Sequence, residues 1–303
     1  MSAPSVLYDV PGPRARRRHL IGAVVASLAV LALLGVAALR LADRGQFDSE
    51  LWLPLFSPGH EDFVDVWEFL WLGLQATLIA AAIAIVGALI LGTALGSARM
   101  LLGTTPIGRV LRVPLIGWIE LFRGLPVVIT MLLTFSFFRY IGFRLDFLPG
   151  EELLWYVAIG LILYNSVIIA EILRAGVASL PRGQAEAARA IGMGETMVMR
   201  LVLLPQAFRV MLPALISQVV VILKDTSLGY FIGYHELLFR SQRLSQLYDN
   251  PLQSLFTVGI IFILLNYALS RVAQWTERRM SRRITTKQAP MTVETGIGGA
   301  GPV

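Results

Sequence analysis

The chain has 303 residues, 56% of them hydrophobic and only 15% charged, with a mean hydropathy of +0.69 and a formal net charge of +6. An average soluble domain carries about 25% charged residues, so a single water-soluble core is excluded and the bilayer becomes the expected solvent. The basic residues sit between apolar runs rather than on one face, which argues against a nucleic-acid partner. The absence of cysteine excludes disulfides and thiolate metal sites.

Six apolar runs follow in order: 20–42, 69–98, 125–143, 153–173, 207–224 and 253–275. Each approaches or exceeds the roughly 20 residues that cross a hydrocarbon layer as a helix. Lipid-exposed strands cannot satisfy their backbone, and barrel alternation is missing, so the fold class is all-α and polytopic. Arg14, Arg16, Arg17 and Arg18 before the first run resemble a signal peptide. The apolar stretch is about twice a typical h-region and no small-x-small site follows, which predicts an uncleaved anchor helix.

Loops set the orientation. Segments 1–19, 99–123, 174–209 and 271–303 hold 19 of the 26 Lys and Arg residues, which predicts a plasma-membrane protein with both termini cytoplasmic. The expected organisation is 1–68 as basic N-terminus, first span and external loop, 69–276 as a five-span core, and 277–303 as a disordered tail rich in Gly, Thr and Pro.

Few motifs carry chemistry. Residues 103–108 have Walker-like glycine spacing, but Arg109 and Val110 stand where a P-loop needs Lys and then Ser or Thr. No ATP or other cofactor is expected on this chain. His19, His60 and His235 show no ligand spacing, and no nucleophile–base set appears, so no enzymatic activity is expected.

The loop before the fifth run is the informative one. Residues 184–191 are an Ala-rich helix former with Glu186 in the expected first turn, where a carboxylate suits the helix dipole. Gly192 is a natural stop, and Pro205 suits the first turn of the next span. Ala185, Ala188 and Gly192 form a small stripe on which another surface could sit.

Polar residues inside the runs are costly and need a reason. Glu171 and Arg174 are three apart and pair at a helix end. Asn165 and Ser166 sit mid-span, either as helix–helix glue or as pathway lining. Lys224 lies about 28 Å from Pro205 along a straight helix, in the outer half. With Asp225 it either shapes an outer vestibule or forms an ion pair locking the turn. Pro213 predicts a kink in the fifth span.

Glu186, Ala187, Ala188, then Gly192, then Val202, Leu204 and Pro205 resemble the EAA loop of type I ABC importer permeases, with Val202 replacing the usual Ile. The segment 122–126 (Phe-Arg-Gly-Leu-Pro), residues 170–176, 204–209 and 223–228 are similar to the polar-amino-acid uptake subfamily; Leu125 replaces its Thr. The resemblance spans 71–275. Residues 6–13 and the extra first span resemble permeases of actinobacterial glutamate importers. The resemblance implies a coupling loop, 183–205, docked on an ATPase pair that carries ATP and Mg. It implies a second permease subunit, identical or related, an external solute-binding protein, and alternating-access import of a polar amino acid, glutamate by the narrower match. An ion-coupled carrier or a non-transporting anchor subunit are the competing classes; the absence of an internal repeat argues against the carrier.

Overall fold

A computed structural model describes residues 12–285, with side chains described to Trp275. The expectations for residues 1–11 and 286–303, including most of the 6–13 match and of the disordered tail, lie outside the described residues. Every regular element among the described residues is a helix, and five helices are long and apolar enough to cross a membrane, or six if one bent pair counts as a span.

Helix α1 (Pro13–Asp43) is the predicted anchor, and none of its residues is buried. A bilayer is the natural cover for a helix apolar all round. A short α2 (Ser49–Phe56) follows, and Gln253 Nε2 donates to the Gln46 carbonyl at 2.7 Å, tying the intervening turn to the last helix.

The core forms around α3 (Phe63–Leu101) and α6 (Glu152–Ala178). The buried face of α3 begins with Val66 and Leu70 and continues through the small residues Gly73, Thr77, Ala80, Ala81, Ala84, Ala88, Gly92 and Gly96 at helical spacing. In lipid no hydrophobic force drives helices together, so close backbone approach through small residues must do it. At Gly92 an added Cβ would lie 2.7 Å from the Ser166 carbonyl oxygen and 2.7 Å from Ile169 Cβ. Gly160 and Gly176 admit Met131 and Met211 from two other helices in the same way.

The third predicted span needs correction. The segment 99–123, expected as a loop, is largely helix α4 (Pro106–Gly124), and α5 (Val127–Tyr140) follows after a 113° bend. Pro126 sets the bend, because it bars the preceding residue from helical geometry and cannot donate. The Walker-like stretch is a helix start: the Thr105 hydroxyl accepts from the Gly108 amide at 3.0 Å.

After α6 come α7 (Arg182–Ala190), one-turn α8 (Glu195–Met197), and α9 (Leu204–Asp225). Residues Thr226–Ile232 continue as a 3₁₀ segment stopped by Gly233 at φ +83°. Then α10 (Leu237–Leu247), which the sequence did not announce, packs on α3. Leu237 N donates to Thr77 Oγ1 at 3.1 Å, and Tyr234 OH to the Ala76 carbonyl at 2.9 Å. Fully buried Glu236 caps α10 by accepting from Leu238 and Phe239. Burial outweighs those two donors and pushes its carboxyl up to about 7. Helix α11 (Pro251–Thr285) runs nine residues into what was expected as the disordered tail.

Candidate functional site

Two regions hold the predicted residues. The first is the loop between α6 and α9. Helix α7 begins two residues earlier than expected, so Glu186 is its fifth residue and not in the first turn. Its end matches expectation in detail. Gly192 adopts φ +84°, its N–H donates to the Arg189 carbonyl at 2.9 Å, and Met193 N–H donates to the Ala188 carbonyl at 3.2 Å. This is the Schellman arrangement, which satisfies helix-terminal carbonyls and favours glycine at that position.

The small stripe is corrected by the structure. Ala188 is buried and Ala185 half-buried, both against Val198, Met199 and Leu203 and against Met100 and Leu101 from the end of α3. The two alanines seat α7 on its own chain, and Gly192 stays exposed. The open face carries Arg182, Gly183, Glu186, Ala187, Ala190 and Ile191 instead, with Ile191 79% exposed. Arg189 grips Glu195 through two hydrogen bonds of 2.6 and 3.0 Å, fixing α7 to α8; that carboxylate also raises the Arg189 pKa.

Between α8 and α9, Val198–Leu203 form a π-helical turn. Pro205 explains part of it. With no N–H, it denies the Leu201 carbonyl its usual partner, so the ladder is already broken where the turn widens. Gln206 Nε2 donates to the Val202 carbonyl at 2.9 Å and reaches Gln184 Oε1 at 3.4 Å, linking α9 back to α7. A groove of about 420 Å³ runs between the end of α6 and α7, lined by Leu180, Ala185, Leu203, Arg182, Glu186 and Arg189.

Glu171 and Arg174 pair as expected, with Nε–Oε2 at 2.9 Å. Sequence reasoning missed the third member: Arg99 of α3 also pairs with Glu171. The triad clamps the end of α3 to α6 directly before the loop. Nothing in the local spacing identifies Arg99, because 72 residues separate the partners.

The second region is within the spans. Asn165 and Ser166 are fully buried. Asn165 Nδ2 donates to the Leu161 carbonyl at 2.9 Å, and its Oδ1 accepts from Gln218 Nε2 of α9 at 2.6 Å. Both residues occupy the helix seam of the single chain. Replacing Gln218 by Leu removes that interhelical bond. The expected loss is about 0.6–1.7 kcal/mol, read as a lower melting midpoint in detergent.

Lys224 is exposed and Asp225 half-buried, and no ion pair joins them. The turn-locking alternative is therefore corrected: neighbours in sequence project about 100° apart on a helix and do not face each other. The predicted Pro213 lies inside α9, where Ser217 Oγ donates to its carbonyl at 3.1 Å.

The family model described as "Binding-protein-dependent transport system inner membrane component" matches residues 88–282. The chain is 38% identical over 268 residues to the glutamate transport system permease protein GluD of Corynebacterium glutamicum, covering 85% of this chain and 91% of that one. It is 31% identical to the probable glutamine ABC transporter permease protein GlnP of Bacillus subtilis, covering 70% of this chain and 94% of the relative. Among solved structures, an amino acid ABC transporter described with histidines superposes with a TM-score of 0.62 at 25% identity, over 72% of this chain and 96% of that one.

Proposed function

The chain belongs to the family of inner membrane components of binding-protein-dependent transport systems, and from that premise we propose that it forms half the translocation pathway of an ATP-driven importer for a polar amino acid, glutamate in the first instance. The observation that carries the reading is the loop from α7 to Pro205: a capped helix with an exposed face, clamped to α3, α6 and α9. Such an element can move as a unit with the spans it is tied to. The name of the 38% identical relative supports glutamate.

The core is 69–276. The chain is the permease and not the enzyme of the system; a separate ATPase pair binds ATP and Mg and docks on α7. The basic-rich ends then face the cytoplasm, and the chain lies in the cell membrane with both termini inside. A second permease, identical or related, completes the pathway. An external binding protein delivers substrate. ATPase closure draws the α7 helices together, the spans open outward, and hydrolysis resets them. Glu186, Ala187, Ala188, Gly192 and Pro205 build the coupling element. Lys224 and Asp225 line the outer pathway.

The test is uptake of radiolabelled amino acids by the assembled transporter in vesicles. ATP-dependent glutamate uptake that survives collapse of ion gradients is expected; uptake driven by a gradient without ATP sinks the reading in favour of an ion-coupled carrier. Lys224→Ala probes the outer pathway. Because Lys224 is exposed and makes no ion pair among the described residues, its removal should change the melting midpoint little. Uptake at low substrate should fall about 10- to 150-fold, the loss of one charge-assisted hydrogen bond of about 1.5–3 kcal/mol. Wild-type uptake by that variant removes Lys224 from the pathway.

A further inference from the structure

Helix α4 leaves one face bare. Gly108 and Ile119 are buried against the bundle, whereas the apolar residues Ile107, Val110, Leu111, Val113, Pro114, Trp118 and Leu121 are exposed, and all of these but Val113 share one side. Those six recur at i, i+3, i+4, i+7, i+11 and i+14, one continuous stripe on a helix of 3.6 residues per turn. Arg109, Arg123 and Glu120 lie off the stripe; Arg123 sits 3.9 Å from Glu120, and Arg109 has no partner among the described residues.

Three observations indicate what covers it. The 113° bend turns α4 away from α5, close to the membrane plane when α5 runs along the normal. Helix α5 has only 14 residues. That spans about 21 Å against a hydrocarbon thickness of about 30 Å, and a helix lying in the interface sits about 5–10 Å deep, which makes up the difference. The stripe is also built of large side chains and a Trp, unlike the Gly- and Ala-lined face with which α3 meets α6. Close helix–helix packing in lipid favours small residues, whereas interfacial helices present bulky apolar groups and flanking arginines.

We infer that α4 lies in the bilayer leaflet at the basic end of the molecule, with its stripe in the acyl chains and Arg109 and Arg123 toward the phosphates of anionic phospholipids. It is a membrane-surface strut: α4 packs on α3 and α6, the two helices clamped by Arg99 and Glu171. Placing this surface in the inner leaflet rests on the orientation proposed above; the depth itself does not.

The chain has no cysteine, so single-cysteine variants report unambiguously. Leu111→Cys, Leu121→Cys and Glu120→Cys, each in the full chain, carry an environment-sensitive fluorophore in vesicles of phosphatidylethanolamine and phosphatidylglycerol. Lipids spin-labelled at a shallow acyl position in both leaflets are the quenchers. Strong quenching at positions 111 and 121 and little at 120 is expected. Adding Arg109→Gln with Arg123→Gln should move the labels toward water, and exchanging phosphatidylglycerol for phosphatidylcholine should do the same. Water-like, unquenched emission at 111 and 121 overturns the inference. So does cross-linking of Leu111→Cys between two copies with the quencher excluded, which assigns the face to a protein interface. Because the readout requires no transport, its failure is distinguishable from failure of the importer reading.

Discussion

Gly92→Leu is expected to cost the fold most. The position faces the Ser166 carbonyl oxygen and Ile169 Cβ at 2.7 Å from an added Cβ, and one of these atoms is helix backbone. Neither can swing away, so α3 and α6 must separate along the seam that carries the core. Overpacking of this kind costs about 1–3 kcal/mol and sometimes more. Loss of the small-residue contacts on either side adds to it. The expected result is a melting midpoint several degrees lower in detergent and reduced accumulation in the membrane. Two controls make the claim specific. Gly35→Leu, on α1 where nothing lies within 4 Å, should leave the midpoint unchanged. Gly87→Ala should cost less than Gly92→Leu, because the nearest atoms to its added Cβ, Ile162 Cδ1 and Cγ1, belong to a side chain and not to helix backbone. A normal midpoint for Gly92→Leu would show that the seam is looser than its geometry.

Gly192→Val should cost function most. An added Cβ there meets nothing within 4 Å, so the effect is conformational rather than a clash. A φ of +84° is open to glycine and strained for a β-branched residue, by about 1–3 kcal/mol. The chain relieves that strain by releasing the Gly192 and Met193 hydrogen bonds and lifting Met193 from the cluster under α7. Global stability should change little, since the spans do not depend on the turn. The docking-competent population of α7 should fall about 5- to 150-fold, which is what 1–3 kcal/mol does to an equilibrium. ATP-driven uptake should fall with it while the permease still reaches the membrane. Gly192→Asn, a residue that tolerates the left-handed region, should keep most of the activity. Equal uptake by the Val variant and wild type would separate the α7 geometry from coupling.

Membrane spans and their order were legible because long apolar runs have one solution in lipid, a helix. The stop of α7 at Gly192 was legible for a local reason, since only the chain's own backbone decides it. The Glu171–Arg174 pair was legible because i and i+3 meet on any helix.

The rest depended on distance in space. Arg99 joins Glu171 across 72 residues, and Gln218 joins Asn165 across 53. No periodicity encodes such meetings. The stripe on α7 was visible as a pattern, but its direction was not: Ala188 points inward because α3, α6 and the π turn after α8 supply an apolar seat there. For α4, composition suggested a loop, since arginines and glycines interrupt the apolar residues. The bundle supplied the missing context by burying Gly108 and Ile119 and leaving the other face open. By itself the sequence determined that the chain is a set of membrane helices with one capped helix between two of them, because backbone satisfaction in lipid and left-handed glycine are local constraints. Only the tertiary structure decided which faces are seats and which are free, because a helix face acquires its role from what packs against it.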